Sequence, residues 1–173
     1  MFVMQEGLFG PDHLDIIEEA VSISEEVACD YFSALAGRWI RYPYEICTLR
    51  DVCDEEHPVN AFAHLVWYGT YLMDKQSGKD SREFYRICLN DPNILDHTSG
   101  GRPDRLLPFM IYVITHELVH ITRFSTYNFH PGREDKTREE EKVHCITGEI
   151  LAPVRISGLD RVLDRFKGHQ NLS

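Results

Sequence analysis

The sequence predicts a single domain of the α+β class, with a small, mainly antiparallel sheet placed between helices along the chain. Three observations lead to this prediction. Apolar residues recur at helical spacing before residue 37, short runs rich in β-branched and aromatic residues follow between residues 44 and 89, and helical spacing returns after residue 104. The 173 residues can bury a sizeable core, so we expect one domain over residues 1–173.

A helix from about Asp12 to Ala36 is the first predicted element. Asp12 can cap its start, and Gly37 can end it. Apolar residues recur along it roughly every three or four positions, so we expect one side to be buried. The residues of this expected stripe are Leu14, Ile17, Val21, Val27, Tyr31 and Leu35.

Three strands are predicted next, over residues 44–50, 62–72 and 83–89, because each run is rich in aromatic and β-branched side chains. Polar residues separate the last two runs, so we expect these two strands to pair antiparallel. After the third strand, Asn90-Asp91-Pro92-Asn93 predicts a turn, and residues 98–103 predict a Gly-rich loop.

The second predicted helix runs from about Arg105 to Phe124, with Asp104 as its cap. Pro108 is compatible with this helix because it lies near the first turn. Five apolar residues are expected to form its core-facing side: Leu107, Ile111, Ile114, Leu118 and Ile121.

Residues 125–137 are polar and predict a loop. A third helix is expected from about Thr137 to Leu151, where it stops before Pro153. A last short helix is expected over Leu159 to Phe166. The sequence therefore places two helices, joined by a polar loop, after the sheet.

The sequence His116-Glu117-Leu118-Val119-His120 is the motif that points to chemistry. The two histidines are four residues apart, so on a helix they lie on one face, off the apolar side. Two imidazoles at this spacing can bind one Zn²⁺, and Glu117 can reach the metal-bound water as a general base. The sequence thus predicts a zinc site on the second helix.

A catalytic zinc site needs a third protein ligand and an open position for water. Glu140 is favoured because it is in register with the expected inward side of the third helix, whereas Glu141 lies further round toward solvent. His144, one turn after Glu140, is the alternative ligand or a residue that supports the ligands. Imidazole and carboxylate also suit iron and manganese, so the metal itself stays open between these.

Peptide hydrolysis at such a site would also use a hydrogen-bond donor that stabilises the transition state. Tyr127, His130 and His144 are the candidates for this donor. Tyr127 and His130 lie in or next to the loop that follows the motif helix, which could bring either residue over the site. The sequence does not choose among the three.

The motif, followed some twenty residues later by a glutamate-bearing helix, resembles the gluzincin metallopeptidases, and residues 85–153 are most similar to the ImmA/IrrE-type metallopeptidases. The second helix of that family begins with the ligand glutamate, here Glu140, and ends as Ile150-Leu151-Ala152-Pro153 does. Ile87-Cys88-Leu89-Asn90 resembles the strand before the family's catalytic helix. Val143-His144 departs from the family's small and polar pair, often Ala-Asn.

This resemblance implies a zincin-like minimal metalloprotease fold and a zinc-dependent hydrolase that cuts peptide bonds, with His116, His120 and Glu140 as metal ligands and Glu117 as general base. ImmA/IrrE-type proteins often act on repressors bound to DNA, so a specific intracellular regulatory protein is the expected substrate. The alternative is a zincin-like module that binds a metal and acts as a regulatory or protein-binding unit without general proteolysis.

Composition narrows the partners and the location. The net charge of −10 argues against direct nucleic-acid binding, because a dedicated binder would show a basic face. Five cysteines without a C-x-x-C pair favour a reducing compartment. The sequence contains no run of about 18 apolar residues, so we expect no membrane-spanning helix. We therefore expect a cytoplasmic protein with a protein or peptide substrate. The sequence makes no prediction of its oligomeric state. Acidic runs such as Glu139-Glu140-Glu141 are typical of solvated surface.

Overall fold

The computed structural model describes residues 7–37, 43–49, 60–72, 81–127 and 136–167. These residues form an α+β structure, as predicted, with five helices and a three-stranded sheet. In chain order the elements are α1 (Pro11–Ala36), β1 (Tyr44–Cys47), β2 (Ala63–Leu72), β3 (Ser81–Leu89), α2 (Asp91–His97), α3 (Pro103–Tyr127), α4 (Lys136–Leu151) and α5 (Leu159–Lys167). None of the described helices is long and apolar enough to cross a membrane.

The sheet is mixed, with strand order β1-β3-β2. β2 pairs antiparallel with β3, from Ala63 opposite Leu89 to Leu72 opposite Ser81, which confirms the predicted pairing of the last two strands. β1 pairs with β3 in the parallel direction, which the sequence did not predict. The central strand β3 therefore carries buried residues of the core: Tyr85, Ile87, Cys88 and Leu89.

α1 ends at Gly37 as predicted, but its buried face differs from the predicted stripe. Leu35 is 70% exposed, and the buried residues are Ile17, Ala20, Ser24 and Ala28. Small side chains on this face allow α1 to pack closely against α3, where the Ser24 hydroxyl donates a hydrogen bond to the Ile111 carbonyl over 3.2 Å. Of the predicted stripe, Ile17 is buried and Val21, Val27 and Tyr31 pack partly buried against the core, so the prediction was wrong for Leu14 and Leu35, which are exposed.

The predicted turn at residues 90–93 is instead the start of α2, so that prediction was wrong. The Asn90 side chain caps the helix by accepting a hydrogen bond from the Asn93 backbone N–H, and a proline occupies the first turn. Asp91 is fully buried and accepts hydrogen bonds from the backbone N–H groups of Phe9 and Leu49. It thereby ties the segment before α1 and the end of β1 to α2.

α3 is the central helix, and most of its circumference is buried rather than one side alone. It begins at Pro103, so Pro108 lies in the second turn and removes the hydrogen bond that the Asp104 carbonyl would otherwise accept. The described core residues on this helix are Leu106, Phe109, Met110, Ile111, Tyr112, Val113, Ile114, Leu118, Val119 and Ile121.

α5 covers the end of the core next to α2 and α3. Phe166 stacks on Tyr112 of α3, with ring centroids 4.1 Å apart and the planes 5° from parallel. Arg165 donates a hydrogen bond from Nη1 to Nε2 of His97, over 2.7 Å. Burial and the neighbouring Arg165 charge lower the pKa of His97, so the imidazole is held as a neutral acceptor.

Gly101, between α2 and α3, provides a test of this packing. Its φ of 78° is left-handed, and an added Cβ would lie 2.6 Å from Nε2 of His13 and 2.8 Å from Cδ2 of Leu95. The His13 ring is held by the hydrogen bond that its Nδ1 accepts from Gly10. We expect Gly101→Ala to lower the free energy of unfolding by about 3 kcal/mol, from backbone strain and overpacking together.

Gly100 is the matched control, because its φ is 79° and an added Cβ would meet nothing within 4 Å. Gly100→Ala should cost only the backbone term, about 1 kcal/mol. Urea unfolding of both variants measures the difference. Equal losses in the two variants would contradict the close approach of His13 and Leu95 to Gly101.

Candidate metal centre

The two histidines of the motif lie one turn apart on α3, as predicted. Their ring centroids are 4.8 Å apart, and the rings are nearly perpendicular. Only 13% of the His116 side chain and 9% of the His120 side chain are exposed. Because α3 is buried around most of its circumference, both imidazoles are attached to the most enclosed element of the fold.

A partly buried ion pair links α3 to α4 next to the histidines. Arg123 holds the Glu139 carboxylate with both ends of its guanidinium, with distances of 2.5 Å from Nε to Oε1 and 3.1 Å from Nη2 to Oε2. The interaction joins the end of α3 to the start of α4. Of the acidic run predicted to be solvated, Glu139 is therefore buried, Glu140 is partly buried and only Glu141 is exposed.

Glu140, the next residue, faces the two histidines. Its Oε1 lies 2.9 Å from Nε2 of His120, and its Oε2 lies 3.3 Å from Nε2 of His116. One ligand atom from each of the three residues lies within 4.8 Å of the other two. Ligand atoms about 2.0–2.2 Å from a tetrahedral ion sit about 3.4 Å apart, so the three residues form a group that could hold a metal ion.

The hydrogen-bonding state of the histidines fits this use. Nε2 of His116 is buried and within ion-pair distance of Glu140, but it makes no hydrogen bond to any described residue. Buried polar atoms are normally satisfied, and a metal ion would satisfy this nitrogen. Two imidazoles and one carboxylate suit Zn²⁺ and also other transition metals, so the group does not by itself identify the ion.

Without a metal, the imidazoles and carboxylates of the cluster shift one another's pKa values. Burial would lower the pKa of His116, but the nearby carboxylates of Glu117 and Glu140 outweigh it and raise the pKa to about 9. Burial would raise the pKa of Glu140, but the imidazoles of His116 and His120 hold it well below its usual range. Metal binding would thus displace a proton from the cluster and take its place beside the carboxylate.

Glu117 lies beside the three-residue group and is itself buried. Its Oε1 is 3.4 Å from Nδ1 of His116, on the side of that ring opposite the Nε2 atom that faces Glu140. Among the described residues its second oxygen has no hydrogen-bond partner, and no lysine or arginine pairs with the carboxylate. Glu117 is therefore a buried carboxylate beside the centre that pairs with the motif histidine His116 and with no described lysine or arginine.

His144 also borders the centre, but it is not one of the three grouped residues. Its Nε2 lies 3.8 Å from Oε2 of Glu140, and its Nδ1 lies 2.6 Å from the Tyr112 hydroxyl. Burial and the nearby His116 charge lower the pKa of His144 to about 4, and burial together with Glu140 raises the pKa of Tyr112. Of the two ligands that the sequence left open, the geometry favours Glu140.

Two other candidates fall outside the described part of the structure. Tyr127 is the last residue of α3, but its side chain is not described, and His130 lies outside the described residues. Both stay predictions as transition-state donors. Tyr112 was missed, although its position four residues before His116 on the same helix is a usable signal. Arg123 was missed as well, because its partner Glu139 lies on another helix.

Comparisons of the chain with protein-family models, with curated proteins and with solved structures find no match. The resemblance to the gluzincin and ImmA/IrrE-type metallopeptidases accordingly stays a prediction from the motif and its spacing. What the described residues establish is an α+β structure with a His116, His120 and Glu140 group that could hold a metal ion.

Proposed function

We propose that this protein is a zinc-dependent peptidase that hydrolyses a peptide bond in a specific intracellular protein. The observation that carries the proposal is the convergence of the two motif imidazoles with the Glu140 carboxylate, beside a further buried carboxylate, Glu117, which contacts His116.

His116, His120 and Glu140 would hold Zn²⁺ in this proposal, since a His₂Glu set is typical of hydrolytic zinc sites. When bound, the metal lowers the pKa of a coordinated water from 15.7 to about 7 and polarises the substrate carbonyl. The Glu140 side chain is 28% exposed, so the centre can be reached from solvent on the α4 side.

Glu117 would act as the general base. It takes a proton from the attacking water and later gives that proton to the amine that leaves. The carboxylate is buried beside His116, and its second oxygen has no hydrogen-bond partner among the described residues. We expect the Arg123–Glu139 ion pair to hold α4 in the rotation that presents Glu140.

Glu117→Gln tests this role, because it removes the base and keeps the size of the side chain. We expect it to retain zinc and to lower cleavage about 10²–10⁴-fold. Zinc-loaded wild type and variant are incubated with the proteins of a whole-cell extract, and new chain ends are counted by mass spectrometry. Glu141→Gln, a change at an exposed acid beside Glu140, is the matched control and should leave cleavage unchanged.

A second candidate function is a metal-binding module that regulates or binds another protein without general proteolysis. The observation in its favour is the low exposure of the two motif imidazoles, 13% for His116 and 9% for His120, which leaves little ligand surface open to a substrate. Zinc-replete wild type that produces no new chain ends, in an extract from cells that express the protein naturally, would support this candidate. If Glu117→Gln cleaved as fast as the wild type, the general-base role of Glu117 would be contradicted but the peptidase function would not.

A further inference from the structure

A hydrogen-bonded pair of side chains borders the metal centre. Tyr112 lies one turn before His116 on α3, and His144 lies one turn after Glu140 on α4. Their hydrogen bond joins the tyrosine hydroxyl to Nδ1 of the imidazole over 2.6 Å. Phe166 stacks on the Tyr112 ring, so the hydroxyl is held in place by packing as well as by its partner.

The direction of this hydrogen bond follows from counting protons. Tyr112 is only 3% exposed, and among the described residues its hydroxyl has no other hydrogen-bond partner. If Nδ1 carried the hydrogen and donated it, the buried hydroxyl proton would have no acceptor there. The arrangement that satisfies both groups has Tyr112 donating to Nδ1, which places the hydrogen of the neutral ring of His144 on Nε2.

This Nε2–H group is unused. The nitrogen is buried and makes no hydrogen bond to a described residue, and Glu140 Oε2 at 3.8 Å is too far to accept one. Nor can a nitrogen that carries a hydrogen act as a metal ligand. The ring centroid of His144 is 4.5 Å from that of His116, so the free donor lies at the edge of the centre.

We propose that His144 is a catalytic residue whose Nε2–H donates a hydrogen bond to the carbonyl oxygen of the substrate peptide bond. Tyr112 is then the positioning residue that fixes the tautomer. The inference rests on the proposed peptidase function. As water adds to the carbonyl carbon, the oxygen gains negative charge and this hydrogen bond strengthens. His144 keeps its proton throughout, while the water proton passes through Glu117 to the amine as the C–N bond breaks.

The kinetic test uses the peptide that the wild type cleaves fastest. His144→Ala should keep zinc at the wild-type level, lower kcat about 10²–10³-fold and leave KM nearly unchanged. His144→Gln retains an N–H donor and should recover part of that loss. Tyr112→Phe keeps the ring stack and should lower kcat about 10-fold. Tyr31→Phe, which removes a hydroxyl bonded to Glu149 away from the centre, is the control and should change nothing.

The tautomer is measured without reference to activity. In zinc-loaded protein with ¹⁵N-labelled histidine, the His144 signals, assigned by their loss in His144→Gln, should show a protonated Nε2 and a bare Nδ1. Tyr112→Phe should give a mixture of both tautomers. A bare Nε2 in the wild type, or loss of zinc from His144→Ala, would make His144 a ligand and overturn the inference.

The two proposals fail in distinguishable ways. If wild type cleaves and His144→Ala cleaves equally fast, the donor role is overturned and the peptidase function stands. If zinc-replete wild type cleaves nothing, the peptidase function is overturned and the role of His144 with it.

Discussion

Replacing His116 by Ala should abolish stoichiometric zinc binding, and Glu140→Ala should do the same. Each change removes one of the three atoms that converge within 4.8 Å, and we expect the affinity for zinc to fall by more than about 100-fold, since loss even of a residue that only supports a ligand costs about 10–100-fold. Metal analysis of untagged protein should give about one zinc per wild-type chain and close to none in these variants.

Stability provides a second measurement of the same event. An ion that binds only the folded state stabilises it by about 4 kcal/mol at a free concentration 1,000 times the Kd. Added zinc should therefore raise the unfolding midpoint of the wild type but not that of His116→Ala or Glu140→Ala. His144→Ala and Glu141→Ala are the controls, because neither residue belongs to the three-residue group, and both should respond to zinc as the wild type does.

The reverse outcome would move the third ligand. If zinc were lost in His144→Ala and kept in Glu140→Ala, the third ligand would be His144, one turn after Glu140 on α4. That result would also remove the main support for the ImmA/IrrE likeness. Wild type that takes up no zinc, even when zinc is supplied, would leave the five-residue motif without a metal.

The predicted ligands came together because their signals are local. The spacing of His116 and His120 depends only on the period of a helix, and so does the phase of Glu140 along α4. Each element also begins or ends within a few residues of its predicted limit. The exception is α2, because an asparagine and a nearby proline are typical both of a turn and of a helix start, and the prediction of a turn was wrong.

What the sequence missed depends on partners distant in the chain. The buried face of α1 is set by close packing on α3, so Ala20 and Ser24 are buried while the larger Leu35 is exposed. The parallel pairing of β1 with β3 likewise depends on strands that are far apart in the chain. No spacing within a helix could have identified Arg123 and Glu139 as partners, since the pair spans two helices.

That ion pair carries the second large expected effect. Arg123→Ala should leave the Glu139 carboxylate buried without its cation, at a cost of about 3 kcal/mol in the free energy of unfolding. It should also lower zinc affinity about 10–100-fold, because α4 would no longer be held in the rotation that brings Glu140 to the histidines. Urea unfolding of the metal-free protein and competition with a zinc chelator measure the two effects separately.

The double variant Arg123→Met/Glu139→Met separates charge burial from helix orientation. Replacing both members of a buried pair by apolar residues of similar size is often neutral, so most of the unfolding free energy should return. Zinc affinity should return only in part, since methionines pack without the fixed geometry of a two-pronged ion pair. If Arg123→Ala lost stability but kept wild-type zinc affinity, then the packing of α4 residues such as Val143, and not the ion pair, would orient Glu140.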